Sequence, residues 1–558
     1  MTYAATLALG FVFDDHVLIL ENGALRSWRY LPAYFASNIW FFHYPHLLAN
    51  YYRPLFLIWL RLNYVLFGLR PWGWHLTSVL AHLAVTYLVY RLALRLTGDL
   101  WVAGIAGLLF GLHPVHAEAV ADVTSIQEPL TAFFILAALL AFARQAESAS
   151  KRLWMTAALL CSAAALLSKE SGLMLPVLIL GFTWFHSRDE TARTWQHLSA
   201  AVVASVPFWL IVAAYVPLRI WALKGFAHVI APISLRQDLL TVPSVLVFYL
   251  RLMVWPADLS CYYDTPYVLA PGWQNFALPL LLLVGTAAVL ALWYGDARRL
   301  EPRDAKTIGF AALVTIVTVL PVVNFRYLLR GEIAHDRYIY LPSVGFLILV
   351  ALGLRWLTAR KLVRFSRKWA AAGVLVLVAA MGYATARQCL YWSDDLTLNN
   401  RAHQIAPHNV FATTSLAAAL GQLGMERTAT ALYQQALAVD PDLWRANLNL
   451  GYIYYRHGDF THAAQYLAHA CDVNPTDGDE FLYLGTSLLQ MGQLGDAERA
   501  MRTAILARPE GKGYHLGLGV VLKAQGRLEE AKKEVAMELA GDPGNAAARQ
   551  FLEQLPGR

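Results

Sequence analysis

Ten apolar runs, at about 73–96, 101–120, 127–144, 153–168, 170–186, 198–221, 275–294, 306–323, 337–357 and 369–389, constrain this chain more than any other feature. Runs of this length enter a bilayer, where no water satisfies backbone N–H and C=O groups. Only helices or a closed barrel meet that condition, and the runs are helix-length, so an all-α membrane region is expected. The apolar segment before Asp14 brings the count to eleven transmembrane helices, although thirteen residues fall short of the roughly 17–25 of a span and this first helix reads as cut short. Pro243 to Trp255 has only thirteen residues with Arg251 among them, and reads as re-entrant or interfacial.

The composition agrees: 58% of residues are hydrophobic and 15% charged, against about 45–50% apolar in a soluble domain. The excess lies in residues 1–390, and the polar remainder makes a second region. No basic stretch precedes the first apolar residues, so a signal-peptide layout is missing. The formal charge of +7 is spread over short clusters between apolar runs, which points to membrane orientation and away from nucleic acid. Cys161, Cys261, Cys389 and Cys471 lie too far apart for a CxxC metal site and suggest no disulfide framework.

Basic loops stay in the cytoplasm. If the first segment runs outward, Arg91/Arg95, Arg144/Lys151/Arg152, Arg188/Arg193, Arg298/Arg299/Arg303/Lys306 and Arg355 to Lys368 all fall on that side, provided 243–255 does not cross. The outer side then receives Asp14-Asp15, His113 to Asp122, Lys169-Glu170, the 219–274 loop, the Arg326 to Arg337 loop and the C-terminal region; Arg219, Lys224, Arg236, Arg326 and Arg330 are exceptions to the charge rule. The outer loop 14–72 is rich in Trp and Tyr, as suits the headgroup level, with an interfacial helix expected from Arg53 to Gly68.

After a connecting helix at 391–407, Pro407, Pro441, Pro475, Pro509 and Pro543 recur every 34 residues, and Gly424, Gly458, Gly492 and Gly526 keep the same period. So do Ala429, Ala463, Ala497 and Ala531, and the small residues Ala417, Gly451, Gly485 and Gly519. Helix pairs explain the pattern: a small residue where two helices touch, a glycine in the turn, a proline closing the unit. This register matches tetratricopeptide repeats, four over 408–543 with a capping helix at 544–558, forming an α-solenoid whose concave face suits a peptide or protein.

Four polar groups on the expected outer side could carry chemistry. Asp14-Asp15 is either an exposed turn or a general base toward an acceptor hydroxyl. His113-Pro114-Val115-His116-Ala117-Glu118 has histidines and a glutamate at metal-like spacing, but proline interrupts them and a fourth ligand is missing; a polar pocket lining and an ordinary helix-ending loop remain open. Lys169-Glu170 stands between apolar runs, as a phosphate ligand or an internal ion pair. Arg337, in Ala334-His335-Asp336-Arg337-Tyr338, offers either a bidentate phosphate contact or interfacial snorkelling. No glycine-rich nucleotide loop and no Ser/His/Asp or Cys/His order stands out.

Taken in order, Phe11-Val12-Phe13-Asp14-Asp15, Tyr52-Arg53-Pro54-Leu55, Leu62-Asn63-Tyr64 with Pro71-Trp72-Gly73-Trp74-His75, His113 to Glu118, Ser168-Lys169-Glu170, Trp255-Pro256-Ala257-Asp258-Leu259-Ser260 and Arg337 to Phe346, followed by the repeats, resemble the TMTC family of membrane proteins with tetratricopeptide repeats. The resemblance covers nearly the whole chain. It implies a GT-C-type fold and an inverting transfer of mannose or a similar hexose from a polyprenyl-phosphate carrier to Ser or Thr of a polypeptide acceptor. It further implies Asp14 or Asp15 as catalytic base, Arg337 and Lys169 on the donor phosphate, and Arg53, His113, His116, Glu118, Glu170 and Asp336 lining the pocket, with Asp336 standing where a glutamate is expected. No organic cofactor is implied, and a divalent metal is left open. The compact chain with few cysteines reads as bacterial, with the outer face and repeats periplasmic, or in the endoplasmic-reticulum membrane if eukaryotic. A repeat scaffold without activity and a lipid-linked-sugar flippase are the competing readings.

Overall fold

The computed structural model describes residues 2–42, 49–186, 194–228, 233–328, 331–359, 367–475 and 478–555, and every regular element among them is helical. The chain divides into two compact units, Met1–Ala406 and Pro407–Arg558.

Among the described residues of the first unit seven helices are long and apolar enough to cross a membrane: Pro71–Thr97, Val123–Gln145, Thr194–Leu223, Leu235–Val254, Trp273–Leu300, Pro302–Val322 and Ala371–Leu390. The pair Leu100–Leu112 and Pro114–Ala121, bent by 49°, makes an eighth if it is one span. The bend follows from Pro114, which keeps His113 extended (φ −71°, ψ 126°). Three further expected runs form Lys151–Ser168, Leu175–His186 and Pro342–Ala359, of 18, 12 and 18 residues.

Two expectations change. The segment before Asp14 forms one 3-10 turn, Ala4–Ala8, and then runs extended through Leu9 (ψ 155°), so it is not a spanning helix. Its Tyr3 ring instead meets His82 edge-on at 5.0 Å. The run from Pro243 belongs to a helix that starts earlier, because Ser234 and Gln237 form a capping box ahead of Leu235. With 20 residues it has spanning length, and the charge-based orientation loses the condition it rested on. Arg188, Arg193, Arg330 and residues 360–366 of the basic stretch lie outside the described residues.

The segment expected at the interface forms the helix Pro54–Phe67, opened by proline at its first turn and closed by Gly68 at φ +57°. Its Phe56, Leu57 and Leu60 pack with Leu25, Tyr34 and Trp74 into a core beneath the aromatic loop. A separate core joins the long helices through residues such as Val89, Phe110, Leu136, Phe310 and Leu347. The helix Asp395–Ile405, capped by the Asp394 side chain, closes the unit.

The second unit is four helix pairs, from Val410–Gln422 and Glu426–Val439 to Tyr514–Ala524 and Leu528–Gly541, then the single helix Ala546–Glu553. Both glycine periods have a physical cause. Gly424, Gly458, Gly492 and Gly526 are all left-handed (φ +76° to +81°). At Gly451 and Gly519 an added Cβ would lie 2.8 Å from Leu467 Cγ and 2.5 Å from Val535 Cγ2, so only hydrogen lets the paired helices approach.

Candidate active site

Each polar group of the first unit's buried layer sits where an apolar helix stops, because a helix end exposes backbone groups that need partners. Arg53 precedes Pro54–Phe67, Glu118 and Asp122 fill the bend and its exit, Gln127 and Glu128 open Gln127–Gln145, Lys169 ends Lys151–Ser168, and Arg337 lies in the 3-10 turn Asp336–Ile339. Folding brings these six breaks together.

Arg53 donates through Nε (3.1 Å) and Nη2 (2.8 Å) to Glu170 Oε2 and through Nη1 to Gln127 Oε1, while Glu170 Oε1 accepts from Tyr52 N–H at 3.3 Å. Lys169 pairs with Glu128, not with its neighbour Glu170, and its Nζ stands 5.2 Å from the Tyr338 ring centroid. Burial pushes the Lys169 ammonium below its ordinary pKa, Glu128 opposes this, and the charges of Arg53 and Arg337 add to it. The three cations therefore share one field.

Arg337 is held differently. Its backbone N–H donates to Glu118 Oε2 at 2.9 Å, which fixes the turn. Its guanidinium reaches Glu118 Oε1 at 3.4 Å, Asp122 Oδ2 at 3.7 Å and Ser125 Oγ at 3.4 Å, all from Nη1 and all long, and its side chain is 13% exposed. The guanidinium is electrostatically committed but retains donor capacity for an incoming anion.

The two adjacent acids separate completely. Asp15 is wholly buried; Oδ1 accepts from Thr124 N–H at 3.0 Å and Oδ2 from Val12 N–H at 3.3 Å. Burial and then the charge of Asp122, which accepts from the same Thr124 N–H, push its carboxyl well above the usual range. Asp15 thus clamps the N-terminal segment to the turn after Asp122 and is closed to an acceptor. Asp14 is half-buried, and its charge acts on both Asp15 and the Arg337 guanidinium.

Three expected pocket residues serve the scaffold. His113 accepts from Val115 N–H at 3.3 Å and its Nε2 meets Met253 O at 3.1 Å; His116 bonds Phe110 O and Ser343 Oγ at 2.8 and 2.9 Å. With all four ring nitrogens engaged, both histidines hold the bend and do not line a pocket. Asp336 accepts from the Tyr263 hydroxyl, and burial and then the charge of Glu118 raise its pKa. The sequence reading missed Asp122, Glu128, Gln127, Tyr338 and Asp395, the last bonded to His16 Nε2 at 2.7 Å. Glu128 was hidden at the start of an apparently apolar run, and Asp395 in a polar helix gives no local signal.

Residues 52–212 match the family described as dolichyl-phosphate-mannose-protein mannosyltransferase, and 416–477 and 482–546 match tetratricopeptide repeats. The first match takes in Arg53, Glu118, Asp122, Glu128, Lys169 and Glu170. Among curated proteins the chain is similar to protein O-mannosyl-transferase TMTC3 of Mus musculus and of Homo sapiens, each 25% identical over 98% of this chain and 63% of that one. It is 26% identical to protein O-mannosyl-transferase Tmtc1 of Drosophila melanogaster over 99% of this chain and 73% of that one. The chain spans about 63% of the length of the two TMTC3 relatives. The solved structure of MamA is similar at 20% identity over 27% of this chain and 89% of that one, with a TM-score of 0.26. The chain is an integral membrane protein with a segment that matches the mannosyltransferase family model and with tetratricopeptide repeats.

Proposed function

We propose that this chain is a membrane O-mannosyltransferase that moves a mannose or similar hexose from a polyprenyl-phosphate carrier to a Ser or Thr hydroxyl, inverting the anomeric carbon. The observation that carries the reading is the layer in which Arg337 is held by long contacts to Glu118 and Asp122 while half-buried Asp14 acts on its guanidinium by charge.

In this mechanism the Arg337 fork takes the carrier phosphate, releasing its long contacts to Glu118 and Asp122. Lys169 and Arg53, each neutralised by its own carboxylate, keep the field around the departing phosphate from turning strongly negative. Asp14 accepts the proton of the acceptor hydroxyl as its oxygen bonds the anomeric carbon from the face opposite the phosphate. The C1–O bond breaks with its electron pair on the phosphate, and the hexose is released inverted on the acceptor. Glu118 is a positioning residue, through the Arg337 backbone. The repeats supply a peptide-binding surface on the same chain, which raises the acceptor's effective concentration. A bacterial inner membrane with a periplasmic active face fits this assignment.

Purified protein incubated with radiolabelled polyprenyl-phosphate hexoses and Ser/Thr peptides should transfer label. Asp14→Asn should reduce transfer about 10²–10⁴-fold, whereas Asp15→Asn should reduce it less than tenfold. Peptide binding without transfer would instead assign a scaffold, and carrier translocation in vesicles without transfer a flippase.

A further inference from the structure

We propose that the face around Arg61 binds the headgroup of an anionic phospholipid, at a site separate from the donor site. Arg61 lies on the helix Pro54–Phe67, eight residues beyond Arg53 and so about 12 Å along the axis. Three described cations are less than a tenth exposed: Arg53, Arg61 and Lys169. Arg53 and Lys169 each meet a carboxylate; Arg61 meets none and makes no hydrogen bond to the described residues, and its Nε is sealed from solvent.

Among the described residues its partners are aromatic. The guanidinium carbon lies 4.7 Å from the Trp28 ring centroid and 5.9 Å from that of Tyr64. Stacking uses the face of the guanidinium and leaves its edge, with the N–H donors, turned away from the rings. A buried cation without an acceptor is costly, and a phosphate diester matches the fork.

The surroundings say which phosphate. Trp28, Leu62, Val65, Leu66, Leu69 and Trp72 are all exposed, giving acyl chains an apolar surface beside the cation. No Asp or Glu occurs from Asn22 to Gly98, while Arg26, Arg29 and Arg70 are exposed on the same loop and helix boundary. That charge excess favours an anionic over a zwitterionic lipid. The aromatic density is what a headgroup-level surface requires. The site does not depend on the sugar-transfer reading.

The test is equilibrium binding of short-chain phosphatidylglycerol, below its micelle concentration, to the full-length protein in neutral detergent, beside short-chain phosphatidylcholine and inorganic phosphate. Phosphatidylglycerol should bind at least tenfold more tightly than either. Arg61→Gln should weaken it at least tenfold, and Arg337→Gln should leave it unchanged. Should Arg61→Gln fail to fold, Trp28→Ala, at a half-exposed position, should give the same loss. Equal binding of the two lipids overturns the anionic assignment, equal binding of inorganic phosphate overturns the lipid, and undiminished binding by the Arg61 or Trp28 variant overturns the site.

Discussion

Phe13 has a left-handed backbone (φ +57°), a conformation that costs a non-glycine residue about 1–3 kcal/mol. Asp395 accepts its N–H at 3.0 Å, and its ring meets Tyr262 and Trp392 edge-on at 5.9 and 6.3 Å. This kink is why two adjacent acids reach different environments, one sealed under Thr124 and one half-buried near Arg337. The pair Asp14-Asp15 was legible as a candidate base, but the choice between its members was not, since a positive φ at phenylalanine has no sequence signature. Lys169 shows the same limit: as phosphate ligand or ion pair it was undecided, and Glu128, 41 residues away, decided it. Arg337→Lys should lower the apparent donor affinity about tenfold to a hundredfold while keeping the charge, because an ammonium cannot reproduce the fork, whose charged hydrogen bonds are worth about 1.5–3 kcal/mol. Donor titration at saturating peptide measures it.

Between elements, His16 and Asp395 tie the N-terminal turn to the helix Asp395–Ile405. The Asp395 hydrogen bond raises the His16 pKa against the effect of burial; burial would raise Asp395, but His16 and the Phe13 N–H hold it low. The stabilisation is therefore full above the unfolded carboxylate value of about 3.9 and below the unfolded imidazole value of about 6.5. It is lost as pH rises through the elevated value of folded His16. Asp395→Asn keeps an acceptor for Phe13 but removes the charge. It should lower stability by no more than about 1 kcal/mol at pH 6, given how exposed the pair is, and by nothing measurable at pH 9. Thermal melts at the two pH values check this. Among the long helices the apolar runs were legible because spanning length is local information. The start of Leu235–Val254 was not, because a Ser234–Gln237 capping box ahead of polar residues carried the helix beyond the apolar run.

At the scale of the molecule the two units were legible from composition and period, and they answer to different physics. The repeats are stabilised by neighbour packing, and overfilling one contact there should leave the membrane unit intact. Gly519→Ala, whose new methyl would meet Val535, should destabilise the repeat unit by about 1–3 kcal/mol, read as earlier loss of its helicity on heating, with donor binding unchanged. The membrane unit is organised by contacts remote in sequence: Arg337 and Glu118 are 219 residues apart, Arg53 and Glu170 117.

The sequence by itself determined the helical class, the membrane region and the 34-residue solenoid, since apolar length, turn glycines and helix-contact glycines act over one or two helices. Only the tertiary structure decided which of the two adjacent acids is buried, which carboxylate Arg53 and Lys169 take, that His113 and His116 serve the bend, and that Arg61 meets no carboxylate among the described residues. Those outcomes depend on which helix breaks meet in space, and electrostatic partnership is set by distance in the folded chain, to which local pattern is blind.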